Sequence, residues 1–168
     1  MNGNELAIRL MQPDDVPALQ ALEKAARSRY GRLDGFRFVV EAPPIADGRL
    51  LAGQTFVAML SGQTVGLILL EPQDGTIYIA NISVSPDASN KGVGRALMQT
   101  AEDYAAETNL PALTLTTFKA PPWNAPWFRK LGYLTLPEAQ AGPTLRATMQ
   151  RQAQYLDADT RITMWKKP

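Results

Sequence analysis

Residues 76–104 read as strand, tight turn and helix, and no other stretch narrows the folds open to this chain as far. Thr76-Ile77-Tyr78-Ile79-Ala80-Asn81-Ile82-Ser83-Val84 is rich in β-branched and aromatic residues, the composition of a strand. Ser85-Pro86-Asp87-Ala88-Ser89-Asn90 is a dense turn signal. A helix then begins within Lys91-Gly92-Val93-Gly94-Arg95; Val93, Leu97, Ala101 and Tyr104 recur at helical spacing and mark its inward face. It runs to about Thr108 and stops at Asn109-Leu110-Pro111, and Ala112–Thr117 follows as a second β-rich run. A strand–helix–strand crossover favours parallel pairing of the two strands. Ligands of such pairs bind outside the carboxyl ends, where Val84 and Thr117 stand.

The junction at Gly92 has chemistry of its own. The first turn of a helix carries N–H groups with no intrahelical partner, at the positive end of the aligned peptide dipoles. Glycines there let a phosphate or pyrophosphate approach the backbone, and Lys91 and Arg95 add formal charge. Taken alone, a Gly-x-Gly at a helix start reads more readily as a plain tight turn with two surface cations than as a phosphate seat. The Gly-Lys-Ser/Thr ending of a P-loop and the third glycine of a dinucleotide fingerprint are both missing.

Composition removes other chemistries. The 168 residues contain no Cys and no His. Disulfides, thiolate metal sites, a Cys nucleophile and a Ser-His-Asp triad are excluded, and no metal is expected. Catalysis would rest on carboxylates, hydroxyls, backbone groups or the substrate itself. Seventeen basic and sixteen acidic residues leave a net charge of +1, no signature of nucleic acid or an acidic membrane surface. Met1-Asn2-Gly3-Asn4-Glu5 lacks a basic leader, and no apolar run approaches membrane-spanning length. The expectation is therefore a cytoplasmic protein with residues 1–168 forming one domain.

The rest of the chain reads as alternating strands and helices. Leu6–Met11 is a strand; Asp14 or Asp15 can cap the next helix, whose first turn holds Pro17 and whose stripe is Val16, Leu19, Leu22 and Ala26. Phe36–Pro44 fits a short helix or a strand, and Leu50–Gly53 the end of another helix. Thr55–Leu60 and Thr64–Glu71 form a hairpin, and Gln73-Asp74-Gly75 turns the chain into the strand at Thr76. After Thr117 come a Pro-rich loop with a surface Trp123, a short helix Ala125–Leu131 stopped by Gly132, a strand Tyr133–Leu136, a helix Thr144–Leu156 and a last strand Arg161–Trp165.

Two strings together carry a resemblance. Ile82-Ser83-Val84-Ser85-Pro86 followed by Gly92-Val93-Gly94-Arg95-Ala96-Leu97-Met98 resembles the acetyl-CoA motif of the GNAT N-acetyltransferase superfamily. Asn124-Ala125-Pro126-Trp127-Phe128-Arg129-Lys130-Leu131-Gly132-Tyr133 resembles the same family's second element, and the two stand in the family's order.

That resemblance implies an α/β fold of the GNAT type: a mainly antiparallel sheet with one splayed parallel pair, flanked by helices. It implies acetyl-CoA as cosubstrate and direct acetyl transfer to a primary amine of a small molecule or peptide, by a monomer or homodimer. Ile82, Ser83 and Val84 would pair with the pantetheine; Ser89, Asn90, Lys91, Gly92, Val93, Gly94 and Arg95 would seat the pyrophosphate. Asn124 would bond the pantetheine and Phe128 would lie near the sulfur. The Val84 N–H is the expected donor to the thioester carbonyl, and Glu71 and Glu41 are candidate bases, with Tyr78 a weaker one. Phe36, Phe38 and Glu41 are candidates for the acceptor wall. Two positions depart from the family: Ser89 replaces a Gln or Arg, and Phe128 a Tyr that protonates the leaving thiolate. Asn81 stands where some members place a carboxylate. Phe128 keeps open an acyl-CoA-binding module without catalysis, and the glycine turn alone keeps open a different nucleotide.

Overall fold

The computed structural model describes residues 5–168; the reading of Met1–Asn4 as free of a leader lies outside them. The elements are β1 (Leu6–Leu10), α1 (Val16–Arg27), α2 (Arg37–Glu41), α3 (Asp47–Ala52), β2 (Gln54–Leu60), β3 (Gln63–Gln73), β4 (Thr76–Val84), α4 (Val93–Glu107), β5 (Leu113–Phe118), α5 (Ala125–Lys130), β6 (Leu134–Thr135), α6 (Pro143–Ala153) and β7 (Arg161–Lys166). The strands form one seven-stranded sheet in the order β1-β2-β3-β4-β5-β7-β6. β1 to β3 pair antiparallel, as do β5 with β7 and β7 with β6. β4 and β5 pair in parallel, Ile77 opposite Leu113 and Tyr78 opposite Thr114. A mixed sheet with one parallel pair, flanked by helices, is the class the resemblance implied, and the parallel pair is the one the crossover favoured. Backbone contacts divide the chain into two compact units.

The first unit holds the described residues up to Leu70 together with Asn81–Thr100. Ser61 and Gly62 both have positive φ, 52° and 76°, and make the two-residue turn whose twist suits a β2–β3 hairpin. Val65 through Leu70 are all buried, so β3 is covered on both faces and reads as an unbroken apolar run. The stripe Val16, Leu19, Leu22 and Ala26 on α1 is buried as its spacing predicts. Asp15 does occupy the N-cap of α1, but its side chain makes no cap bond. It accepts the Gln12 N–H at 2.7 Å and Arg9 Nη1 and Nη2 at 2.7 and 2.9 Å instead, and so closes the turn before α1. Phe36–Pro44, open between helix and strand, contains the single helical turn α2, with Phe36 as its N-cap and Ala42 as its C-cap.

The second unit is Glu71–Ala80 with Ala101–Pro168. Asp74 and Gly75 (φ 54° and 72°) make the turn into β4. β7 lies between β5 and β6, with Leu113 opposite Lys166 through Phe118 opposite Arg161. The strand expected over Tyr133–Leu136 is Leu134–Thr135 only, since Tyr133 turns inward and is 1% exposed. The helix expected over Thr144–Leu156 is Pro143–Ala153, capped from a distance: Asp74 accepts the Thr144 and Leu145 N–H groups at 2.9 and 3.0 Å. Tyr78, Ala141 and Leu145 form a buried cluster against which Ala80, Leu136 and Met149 pack. Trp123 is half-buried, not the surface aromatic its loop suggested.

Candidate functional site

The end of β4 and the start of α4, both in the first unit, carry the larger set of candidates. Ile82 and Val84 are half-buried and Ser83 is buried, its hydroxyl donating to Asn81 Oδ1 at 2.7 Å. Asn81 is thus occupied locally. A two-residue turn at Asp74-Gly75 sets Val65 opposite Val84 in an unbroken ladder. The Val65 carbonyl instead accepts the Ser85 N–H at 2.8 Å. One residue more than a regular ladder needs lies between the turn and this bond, which is the mark of a bulge.

Beyond Ser85, Pro86–Ala88 makes a 3-10 turn and Ser89 through Gly92 a loop. Asn90 and Gly92 have left-handed φ values of 61° and 78°. At Gly92 a Cβ would meet no atom within 4 Å, so glycine there answers a backbone conformation and faces open space. The Gly92 carbonyl accepts the Ala96 N–H at 3.0 Å, the first bond of α4. The N–H groups of Val93, Gly94 and Arg95 therefore precede the intrahelical ladder, at the positive end of a 15-residue helix. Lys91 and Arg95 are exposed beside them, as are Ser89 and Asn90, while Val93 is buried and anchors the turn. This end of α4 can hold an anionic phosphate group.

Gly66, which the sequence reading passed over, sets how closely this helix start can lie against β3. A Cβ there would meet Leu97 Cδ1 and Val93 Cγ1 at 2.9 Å and the Ser83 carbonyl oxygen at 3.3 Å. The signal was present: a glycine inside the apolar run Thr64–Glu71 marks a close approach of other chain.

In the second unit Asn124 is the N-cap of α5, its carbonyl accepting the Trp127 and Phe128 N–H groups at 2.9 and 3.1 Å. Its side chain makes no cap bond and it is half-buried. Phe128 is 5% exposed and meets Trp127 and Tyr133 edge-on, with ring centroids 5.0 and 5.9 Å away. Glu71 is half-buried on β3. Glu41, in the first unit, is exposed on α2 and pairs with Arg37 Nε at 2.7 Å. Tyr78 is buried and its hydroxyl meets the Thr116 hydroxyl at 2.9 Å. The Tyr133 hydroxyl is buried without a hydrogen-bond partner among the described residues, and desolvation, then the charge of Glu102, pushes its pKa up. A cavity of about 290 Å³ in this unit is lined by Thr76, Ala112, Thr114, Leu145 and Trp165 among others, none of them a candidate. Among the described residues no group of three or more acidic side chains is placed to hold a metal ion. No helix among the described residues is long and apolar enough to cross a membrane.

A model of the acetyltransferase (GNAT) family matches residues 19–133, more than half of the chain. The chain belongs to the acetyltransferase (GNAT) family. The matched residues include the glycine turn, Asn124 and Phe128. The UPF0157 protein YqkA of Bacillus subtilis (strain 168) is 28% identical over 114 residues, 62% of this GNAT chain and 27% of that protein. The chain thus spans about a quarter of that curated relative's length. The PaiA N-acetyltransferase of Thermoplasma acidophilum, solved in complex with coenzyme A, superposes with a TM-score of 0.73 at 12% identity, covering 98% of this chain and 99% of that one. The ribosomal-protein-S18-alanine N-acetyltransferase of Escherichia coli gives 0.68 at 17%, covering 97% and 94%. At these identities the two structures show a shared fold.

Proposed function

We propose that this GNAT chain is an acetyl-CoA-dependent N-acetyltransferase acting on a primary amine. One observation supports it above the others: a left-handed Gly92 that faces open space at the start of α4, between exposed Lys91 and Arg95. The turn Ser89-Asn90-Lys91-Gly92-Val93-Gly94-Arg95 is assigned the pyrophosphate, which suits orphan amides and a helix dipole. Ile82, Ser83 and Val84 are assigned the pantetheine, as is Asn124, and Phe128 the neighbourhood of the sulfur.

The reaction needs a donor to the thioester oxygen as charge builds on it. The Val84 N–H is assigned that role. The bond from Ser85 to Val65 supports it, because a bulge releases a strand amide from its ladder. One such donor contributes on the order of 3 kcal/mol to the barrier. The amine must also lose a proton, for which Glu71 and Glu41 are the proposed acceptors; Glu41 would have to leave Arg37. Binding both reactants in one orientation supplies much of the rest. Phe36, Phe38 and Glu41 are assigned to the acceptor side. The acceptor is a small-molecule or peptide amine, and the setting is the cytoplasm.

Phe128 favours a second reading. It fills a buried aromatic packing position and has no proton to give, as in an acyl-CoA sensor without turnover. Calorimetric titration with acetyl-CoA, beside a Gly94→Glu variant, tests the cofactor assignment. Saturable binding by the wild type and none by the variant is expected, since the carboxylate enters the phosphate seat. Absence of wild-type binding at millimolar acetyl-CoA would refute both readings. Release of coenzyme A in the presence of amines separates enzyme from sensor.

A further inference from the structure

The short helix α2 has little of its own to hold it. It is five residues long, none of them buried, and its N-cap makes no side-chain bond. A helix of this length does not persist through backbone bonds alone. Its last carbonyls need donors from elsewhere.

Arg27, at the end of α1, supplies them. It is 9% exposed, and its Nη1 donates to the Val39 carbonyl at 2.8 Å and the Ala42 carbonyl at 2.6 Å, with Val40 at 3.5 Å. One guanidinium thus ties off the carboxyl end of α2 and the step after it. Arg27 is in turn fixed by Glu23, one helical turn back: Nε lies 2.9 Å from Glu23 Oε1, and Glu23 is 5% exposed. The pair is costly. Glu23 Oε2 and Arg27 Nε both lack a hydrogen-bond partner among the described residues, so charge alone holds the two together, and desolvation pushes the Glu23 carboxyl up even with Arg27 opposing. A buried charge pair of this kind is a poor source of stability but a specific clamp. At the other end Phe36 lies against Tyr30, ring centroids 6.0 Å apart, and Phe38 stacks on Phe36 at 6.3 Å. α2 is therefore a strap pinned at one end by a guanidinium and at the other by an aromatic contact.

We propose that Arg27, clamped by Glu23, is a positioning residue for the amine acceptor: it fixes the strap that bears Phe36, Phe38 and Glu41. The acceptor role rests on the acetyltransferase reading above; the pinning does not. Arg27 touches no reactant in this scheme. It acts through where α2 lies, so its loss weakens use of the amine and leaves use of acetyl-CoA alone.

Two measurements on Arg27→Lys and on Glu23→Gln decide this. Amide hydrogen exchange at Val39 through Ala42 reads the pin without any ligand; about tenfold faster exchange confined to those amides is expected. Exchange there equal to wild type in both variants overturns the pinning. Steady-state turnover with 2-phenylethylamine, a probe chosen for its ring beside a primary amine, reads the acceptor role. Arg27→Lys should raise KM for the probe about tenfold and leave KM for acetyl-CoA within about twofold. Equal changes in both, or none, overturn the role. A wild type that binds acetyl-CoA but does not acetylate the probe also overturns it, with the acetyl-CoA site intact. A wild type that binds no acetyl-CoA refutes the acetyltransferase reading and the acceptor role together, while exchange still judges the pin. Should Arg27→Lys fail to fold, Glu23→Gln carries both arms.

Discussion

At the scale of single residues, Gly66 and Phe128 put the proposed chemistry to work. Gly66→Ala places a methyl 2.9 Å from Val93 and Leu97. Overpacking of this kind costs about 1–3 kcal/mol, and here the strain falls on the first turn of α4. A lower Tm and at least about tenfold weaker acetyl-CoA binding are expected by thermal melt and calorimetry; a Tm loss with unchanged affinity would uncouple Gly66 from the phosphate seat. Phe128→Tyr adds a hydroxyl at the position where the resemblance expects a proton donor. A general acid contributes about 10²–10⁴-fold. If the thiolate now leaves unassisted, kcat rises by about tenfold or more with KM for acetyl-CoA unchanged, and a fall in kcat would show that another group already does this work. The sequence made the glycine turn legible because its glycines, cations and following helical stripe are all local. Gly66 was harder, because what a missing Cβ makes room for lies elsewhere in the chain. The pairing of exposed Glu41 with Arg37, one helical turn away, could be seen only after α2 was known to be a helix.

At the scale of elements, α6 depends on a cap it does not carry. Asp74 sits in the β3–β4 turn and bonds the first amides of a helix seventy residues on. Burial raises its pKa, but the bonds from Thr144 and Leu145 outweigh that and leave it lowered. Asp74→Ala should cost at least about 1 kcal/mol, the lost cap adding to the strain of alanine at a left-handed φ of 54°. A lowered folded-state pKa means stability that is fully present above the ordinary aspartate range and lost as pH falls through the depressed value. The gap between wild type and Asp74→Ala in urea melts should therefore be wide at neutral pH and narrow in strong acid to the part set by backbone strain; a gap independent of pH would deny the charge a role. Elements with clear periodicity and punctuation were read nearly residue for residue: β4 is Thr76–Val84 as expected, and α4 ends at Glu107 against an expected Thr108. Phe36–Pro44 resisted because its helix is imposed by Arg27 from another helix. The cap of α6 was invisible for the same reason, and β7 could be recognised as a strand but not as the neighbour of β5.

At the scale of the whole molecule, acetyl-CoA should act as a folding ligand. A ligand that binds only the native state at about a hundred times its Kd adds roughly 2.7 kcal/mol. The melting temperature should climb with the logarithm of acetyl-CoA concentration, and Gly94→Glu should abolish the climb; a parallel climb in the variant would move the site elsewhere. Fold class was legible because the crossover and the hairpins agree with one another, and the family match then covered both. The strand order adds a constraint on how the chain is made. Thr116 pairs with Thr163, and β6 has β7 as its neighbour. A nascent chain that has emerged only through α6 holds β5 and β6 with no strand between them. For the time it takes to synthesise the segment up to Lys166, it carries an unsealed sheet edge open to other chains.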